Sequence, residues 1–269
     1  MIYPSSSLLI GTYNWPAALE LCIKSALAQK TLPGEILVAD DGSGPETRDL
    51  IQSLQKKSAI PIRHIWQEDL GFRLAHIRNK AIAAATGDYI IQVDGDIIMH
   101  PWFMDDHLRF AKQNSFVRAS RIYLDAALTK RIMSSKDIRI NIFNKGVSNF
   151  FSAVRIPLLW PLFAHNYKKK GAELYEIHGC NMAFWKCDAL EINGYNEEFT
   201  GWGPEDKEFV ARLLNAGKEK RFLKAGAIAF HLDHPVNAKP NIENNERLLK
   251  QTILSKSAFC VTGIDKYSN

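Results

Sequence analysis

Short apolar runs alternate with stretches of helical periodicity near the start of this chain, and that alternation restricts the fold more than any other feature. Residues 7–13 (SLLIGTY) read as a strand. Asn14 is placed to cap a helix that holds Pro16 in its first turn and runs to about residue 29, with apolar positions at Leu19, Ile23, Ala26 and Leu27. A strand over 35–39, the turn Asp40-Asp41-Gly42-Ser43, a helix over 46–56 and a strand over 61–66 complete three β-α steps. Successive strands joined by helices pair in parallel, so the expected class is α/β, with a mostly parallel central sheet flanked by helices on both faces. At 269 residues and 46% hydrophobic content the chain can bury a sizeable core.

Ligands of such sheets sit beyond the carboxyl ends of the strands, where Thr12, Tyr13, Asn14, Asp40 and Asp41 fall. An aspartate there can accept the N3–H of a uracil, a donor that cytosine lacks. The same Asp40-Asp41-Gly42-Ser43 stretch also reads as an ordinary capped turn. No G-x-G-x-x-G follows the first strand and no G-x-x-x-x-G-K-[ST] occurs anywhere, so the common glycine-rich phosphate loops are excluded. Arg73 and Arg78 lie near the start of a later helix, where guanidinium groups can meet phosphate in two-pronged fashion or stand as solvated charges.

Residues 89–100 (YIIQVDGDIIMH) are a short apolar run bounded by Gly87 and Pro101, read as one buried strand whose period of two puts Asp94 and Asp96 on the same face. Two like charges leaving water call for a proton or a cation between them, and a divalent metal fits, although solvated loop acids would look the same in sequence. Further on, Pro204 suits a first helical turn, with Glu205 and Asp206 in it and Phe209, Val210, Leu213 and Leu214 forming the buried stripe. The helix dipole is expected to lower a carboxylate's pKa here and keep it ionised, as a group that takes a proton from a sugar hydroxyl requires. Trp202 reads equally as a platform for an apolar sugar face or as a core tryptophan.

Composition excludes several classes. The net charge of +5 comes from mostly scattered basic residues, which does not suit dedicated nucleic-acid binding. Cys22, Cys180, Cys187 and Cys260 lack zinc-site spacing and read as reduced structural thiols. No apolar run reaches the roughly 18 residues of a membrane span, and the start lacks secretory-signal character. A cytoplasmic location is expected.

Four ordered blocks, LLIGTYNWP, ILVADDGSG, GFRLAHIRNKAI and GDYIIQVDGDIIMHP, resemble the inverting family-2 glycosyltransferases with the GT-A fold. A departure is Gly11, where many relatives carry proline. The later stretches HGCNMAFW, INGYNEEF and GWGPED resemble a galactosyltransferase-type C-terminal region, also found in chondroitin- and hyaluronan-type polymerases. The resemblance covers most of residues 7–235 and is weakest over about 123–176. It implies that Thr12, Tyr13, Asn14 and Asp41 line the nucleotide pocket and that Arg73 and Arg78 reach the uridine or the diphosphate. It further implies that Asp94 contacts the ribose or the metal, that Asp96 binds the metal and that His231 completes the metal site. Asp206 would be the general base, Glu205 would orient the acceptor or hold the loop, and Trp202 and Gly203 would face the acceptor. The implied cofactor is Mn2+ or Mg2+, with the imidazole favouring manganese. The implied reaction moves a hexose or N-acetylhexosamine from a UDP-sugar to a hydroxyl of a glycan acceptor such as lipopolysaccharide, capsule or a lipid-linked oligosaccharide.

Other classes fit less well. A sugar-phosphate nucleotidyltransferase wants a glycine- and arginine-rich loop with a lysine soon after the first strand, and LLIGTYNWP has none. A degenerate scaffold that only binds nucleotide or glycan need not keep Asp94, Asp96, Asp206 and His231 together. Within one GT-A domain, residues 1–100 are expected to be the nucleotide-sugar half and 101–235 the acceptor half. The latter would hold a variable insertion at about 122–176, and 236–269 would form a helical tail with its helix over 243–257. In the insertion, basic residues that include Lys168, Lys169 and Lys170 flank a proline-broken aromatic run over 150–163. That pattern suits a segment seated on the inner membrane face, and equally a lobe packed on the main domain.

Overall fold

The structure, a computed structural model, describes residues 3–165, 170–235 and 241–267. In chain order its elements are β1 (Ser6–Thr12), α1 (Pro16–Leu27), β2 (Glu35–Asp40), α2 (Pro45–Gln55), β3 (Ile62–Trp66), α3 (Leu74–Ala84), β4 (Tyr89–Asp94) and β5 (Ile97–Met99). Then come α4 (Phe103–Phe110), β6 (Ser115–Ala119), β7 (Arg121–Tyr123), α5 (Ala126–Ser135), α6 (Trp160–Ala164), β8 (Asn181–Trp185) and α7 (Lys186–Glu191). The last are α8 (Glu205–Asn215), β9 (Glu219–Leu223), β10 (Ala229–His231) and α9 (Ile242–Ser255).

The main sheet has seven strands in the order β3-β2-β1-β4-β8-β6-β9, and only β8 runs against its neighbours. Every residue of β1 and β2 is buried, as parallel strands covered on both faces require. Leu8 and Ile10 pack on one face with Leu19 and Ile23 of α1, while Leu9 packs on the other with Ile77 of α3. The register sets Thr12 beside Asp40 and Gly11 beside Asp94, so the polar strand ends converge on one edge.

Two sequence expectations are corrected here. Residues 89–100 do not form one strand. β4 ends at Asp94, where the Gly95 N–H donates to the Gly11 carbonyl at 2.7 Å, and β5 leaves for a second sheet of order β5-β10-β7. Antiparallel pairing of Ile97 with His231, and a bond from the Leu232 N–H to the Asp96 carbonyl at 3.0 Å, carry Asp96 away from the main sheet. Asn14 does not cap α1 either. Its φ of 46° is left-handed, its Oδ1 accepts the Gly44 N–H at 2.9 Å, and its own N–H donates to Ser43 Oγ at 2.8 Å. It therefore ties the loop after β1 to the loop after β2.

The tail helix α9 starts and ends a little earlier than its periodicity suggests and packs on α8. Pro157 and Pro161 divide the aromatic run into a 3-10 turn, Pro157–Leu159, and the short α6. Lys168 and Lys169 lie outside the described residues. No described helix is long and apolar enough to cross a membrane.

Candidate active site

Three side-chain groups meet at the carboxyl edge of the main sheet. The first surrounds Asp41, which is buried just past β2. Its Oδ2 accepts the Arg73 backbone N–H at 2.7 Å and its Oδ1 accepts Gln67 Nε2 at 2.6 Å. Burial holds its pKa above the ordinary value. The Arg73 guanidinium donates to the Glu68 carbonyl at 2.6 Å, and Thr12 is buried at the end of β1. Tyr13 is half exposed at the rim, its hydroxyl donating to Asp69 Oδ2 at 2.9 Å.

The second group is centred on Arg78, which the sequence offers as a phosphate ligand or a solvated charge. The fold buries it to 1% exposure among carboxylates. Nη1 donates to Glu205 Oε1 at 3.1 Å and Asp206 Oδ1 at 2.8 Å, while Nη2 lies 3.4 Å from Asp94 Oδ1. One cation from α3 thus joins Asp94 at the end of β4 to the first turn of α8. Three carboxylates share one guanidinium, and burial raises the pKa of Glu205, Asp206 and Asp94. The expectation that the helix dipole lowers Asp206 is overturned. A helix terminus supplies at most about 2 kcal/mol, and desolvating a buried carboxylate costs several. Arg78 and hydrogen bonds from Tyr195 and Gln92 pull against that burial, while the Asp94 charge adds to it. Arg78 itself is held above its ordinary pKa because the carboxylates more than offset the burial of its charge.

The third group is Asp96, His231 and His234, whose ligand atoms all lie within 4.8 Å of one another. His231 Nε2 is 3.6 Å and His234 Nε2 3.3 Å from Asp96 Oδ2. Each ring places Nδ1 against a backbone carbonyl, that of Leu232 at 2.9 Å and that of Pro235 at 2.8 Å. Those bonds select the tautomer with Nδ1 protonated and leave both Nε2 lone pairs facing Asp96. Asp96 Oδ1 is buried and has no hydrogen-bond partner among the described residues. An orphaned carboxylate oxygen beside two imidazole lone pairs fits a divalent cation. Asp94 stands outside this trio, its Oδ1 turned to Arg78.

Trp202 is 40% exposed, which removes the core-tryptophan alternative. Gly203 is pressed against α9, where an added Cβ would come within 2.4 Å of Asn245 Nδ2. Sequence reasoning gave no role to four residues of the site: Gln92, Gly179, Tyr195 and His234. Gln92 had a signal, a polar residue inside an apolar strand, and His234 lies three residues beyond His231.

Residues 7–184 match the description of glycosyl transferase family 2, and residues 162–235 match that of the N-terminal domain of galactosyltransferase. Chondroitin synthase of Escherichia coli is 27% identical over 248 residues, which is 87% of this chain and 36% of that protein. Validoxylamine A glucosyltransferase of Streptomyces hygroscopicus subsp. limoneus is 25% identical over 233 residues, 78% of this chain and 48% of that protein. Among solved structures, S. aureus TarS 1-349 in complex with UDP superposes with a TM-score of 0.64 at 16% identity, covering 98% of this chain and 68% of that one. The mannosyltransferase PcManGT from Pyrobaculum calidifontis, in complex with GDP-Man and Mn2+, gives 0.60 at 15%, covering 95% and 63%. The fold is that of GT-A glycosyltransferases. The chain belongs to glycosyl transferase family 2 and spans less than half the length of the two curated relatives named here.

Proposed function

We propose that this chain transfers a hexose or N-acetylhexosamine from a UDP-sugar to a hydroxyl of a glycan acceptor, with inversion at the anomeric carbon. The observation that carries the reading is the Arg78 bridge, which holds Asp94, at the donor end of β4, and Asp206, at the start of α8, on one guanidinium. Thr12, Tyr13, Asn14, Asp41 and Arg73 would surround the nucleotide, and Asp94 would face its ribose. Asp206 accepts the acceptor hydroxyl proton as the new oxygen–carbon bond forms, and the sugar–diphosphate bond breaks with its electron pair leaving on the nucleotide. A raised pKa makes the Asp206 carboxylate a stronger base than an ordinary aspartate, which suits proton abstraction. Glu205 would steady it, with Trp202 offering a ring to the acceptor. Asp96, His231 and His234 would hold a divalent cation whose charge offsets that of the departing diphosphate. Two imidazoles favour Mn2+ over Mg2+. Turnover of a panel of UDP-sugars with Mn2+, followed as UDP release, tests this. Asp206→Asn is expected to lose at least roughly 100-fold in kcat, and a parental rate would remove Asp206 from the role.

The acceptor's setting belongs to the same reading. Residues 126–165 contain Lys130, Arg131, Lys136, Arg139, Lys145 and Arg155 against the single acid Asp137 in the stretch, although Lys136 is paired with Glu20 and Arg155 with Asp106. The same stretch exposes Phe143 (77%), Phe151 (87%), Leu158 (86%) and Leu162 (70%). It leaves the rim of the site directly, since the Leu124 N–H donates to the His231 carbonyl at 3.0 Å. Basic charge around exposed aromatic and aliphatic side chains suits an anionic bilayer, on which a lipid-linked glycan would present its sugar to the site. Co-sedimentation with vesicles is expected only when anionic lipid is included, and to weaken in Phe151→Ser/Leu158→Ser. Equal recovery with and without vesicles would dismiss the membrane partner.

A further inference from the structure

Tyr195 follows α7 in the chain, is fully buried, and has no part in the reaction as described above. Asn79, next to Arg78 on α3, grips its backbone from both sides. Asn79 Oδ1 accepts the Tyr195 N–H at 2.7 Å and Asn79 Nδ2 donates to the Tyr195 carbonyl at 2.8 Å. The ring stacks on Phe209 of α8 with centroids 4.4 Å apart and planes 16° from parallel, and the Arg78 guanidinium lies 5.2 Å from its centre. A tyrosine fixed at backbone and ring delivers its hydroxyl to one place.

That place lies between two oxygen acceptors, Asp206 Oδ1 at 3.1 Å and Gln92 Oε1 at 3.0 Å, with the weaker Met182 sulfur at 3.8 Å. The Gln92 amide is oriented by its Nε2, which donates to the Gly179 carbonyl at 3.0 Å, so Oε1 faces the hydroxyl. Gly179 also closes the far side of Asp206, where an added Cβ would lie 1.9 Å from Oδ2. The carboxylate is therefore bounded by Gly179, Arg78, Tyr195 and Gln92 and keeps a fifth of its side chain open to solvent. The charged groups facing it are Arg78, Glu205 and Asp94. A phenol carries one hydrogen and cannot serve both acceptors at once.

We propose that Tyr195 is a positioning residue whose hydroxyl hydrogen donates to Asp206 while that carboxylate is charged and turns to Gln92 Oε1 once Asp206 is protonated. The charged base is held in a fixed orientation before the reaction, and its new proton is accommodated afterwards without leaving the phenol unsatisfied. Burial raises the phenol's own pKa, so it stays a donor throughout. The proposal rests on the reading of Asp206 as the base.

Tyr195→Phe keeps the ring, the stacking and the backbone clamp and removes one O–H. In protein labelled with 13C at aspartate carboxyls, with the Asp206 signal assigned through Asp206→Asn, that variant is expected to raise the Asp206 pKa by about one unit. The acidic limb of kcat/KM should move up in pH by the same amount, with KM for the UDP-sugar unchanged. Incorporating 3-fluorotyrosine at position 195, a stronger donor of nearly the same size, should move both in the opposite direction. It also supplies the measurement if the phenylalanine variant folds poorly. An Asp206 titration that ignores both changes overturns the proposal. If Asp206→Asn instead keeps parental turnover, the base assignment fails, while the titration still decides whether Tyr195 governs Asp206.

Discussion

Two carboxylate clusters flank α3, and desolvation has opposite outcomes in them. Around Arg78, three carboxylates share one guanidinium, and Glu205, Asp206 and Asp94 are all pushed above their ordinary pKa. Around Glu197, one carboxylate is met by His76 Nδ1 at 2.8 Å, Asn79 Nδ2 at 2.9 Å and the Lys266 ammonium. Burial alone would raise Glu197, yet those donors bring it down to about 2. The ratio of donors to carboxylates, not depth, sets the direction. A site with too few cations keeps a carboxylate ready to take a proton, and a site with enough of them becomes a fastening between α3 and the chain's last turn.

The largest expected effect comes from breaking the first cluster. Arg78→Met leaves three carboxylates without their shared cation, and urea denaturation at neutral pH should show a loss of about 3–5 kcal/mol. That deficit should shrink as the pH falls, because protonation relieves the stranded charges, whereas a deficit independent of pH would mean that the guanidinium matters only for packing. The second cluster runs the other way. Glu197 has a depressed folded pKa, so its contribution is complete above the ordinary value of 4.5 and is lost as pH falls towards about 2. The stability of the parent should drop by about 3 kcal/mol across that window, and Glu197→Gln should flatten the drop. The smallest effects concern the trio, in which an exchangeable cation would play the part that Arg78 plays permanently. Asp96→Ala should weaken Mn2+ binding, read by electron paramagnetic resonance, by about 100-fold, and His234→Ala by about tenfold, with the fold intact in both. Equal losses would mean that the carboxylate has no privileged role.

What the sequence disclosed follows the same division between local and distant causes. Strand ends and helix starts are local, so Thr12, Asp41, Asp94 and the first turn of α8 could be placed from periodicity and turn chemistry. The break between β4 and β5 could not, because it depends on Ile97 pairing with His231 across the chain. For the same reason the favoured histidine was one of two, since only folding shows both Nε2 atoms beside Asp96. The helix dipole at Asp206 is visible in sequence, whereas the burial and the Asp94 charge that raise its pKa arise only once α3, β4 and α8 meet.

The contact between Gly203 and α9 has a practical consequence for anyone who works with this protein. Asn245 Nδ2 donates to the carbonyls of Thr200 and Trp202 at 3.0 and 3.1 Å, so the loop that leads into Glu205 and Asp206 takes its shape from a helix roughly forty residues downstream. The Lys266 and Tyr267 side chains likewise reach back to Glu197. A version cut after Pro235 would keep every residue assigned to the chemistry and still lose the mould that sets them. Any shortened form intended for expression or crystallisation should run through Tyr267.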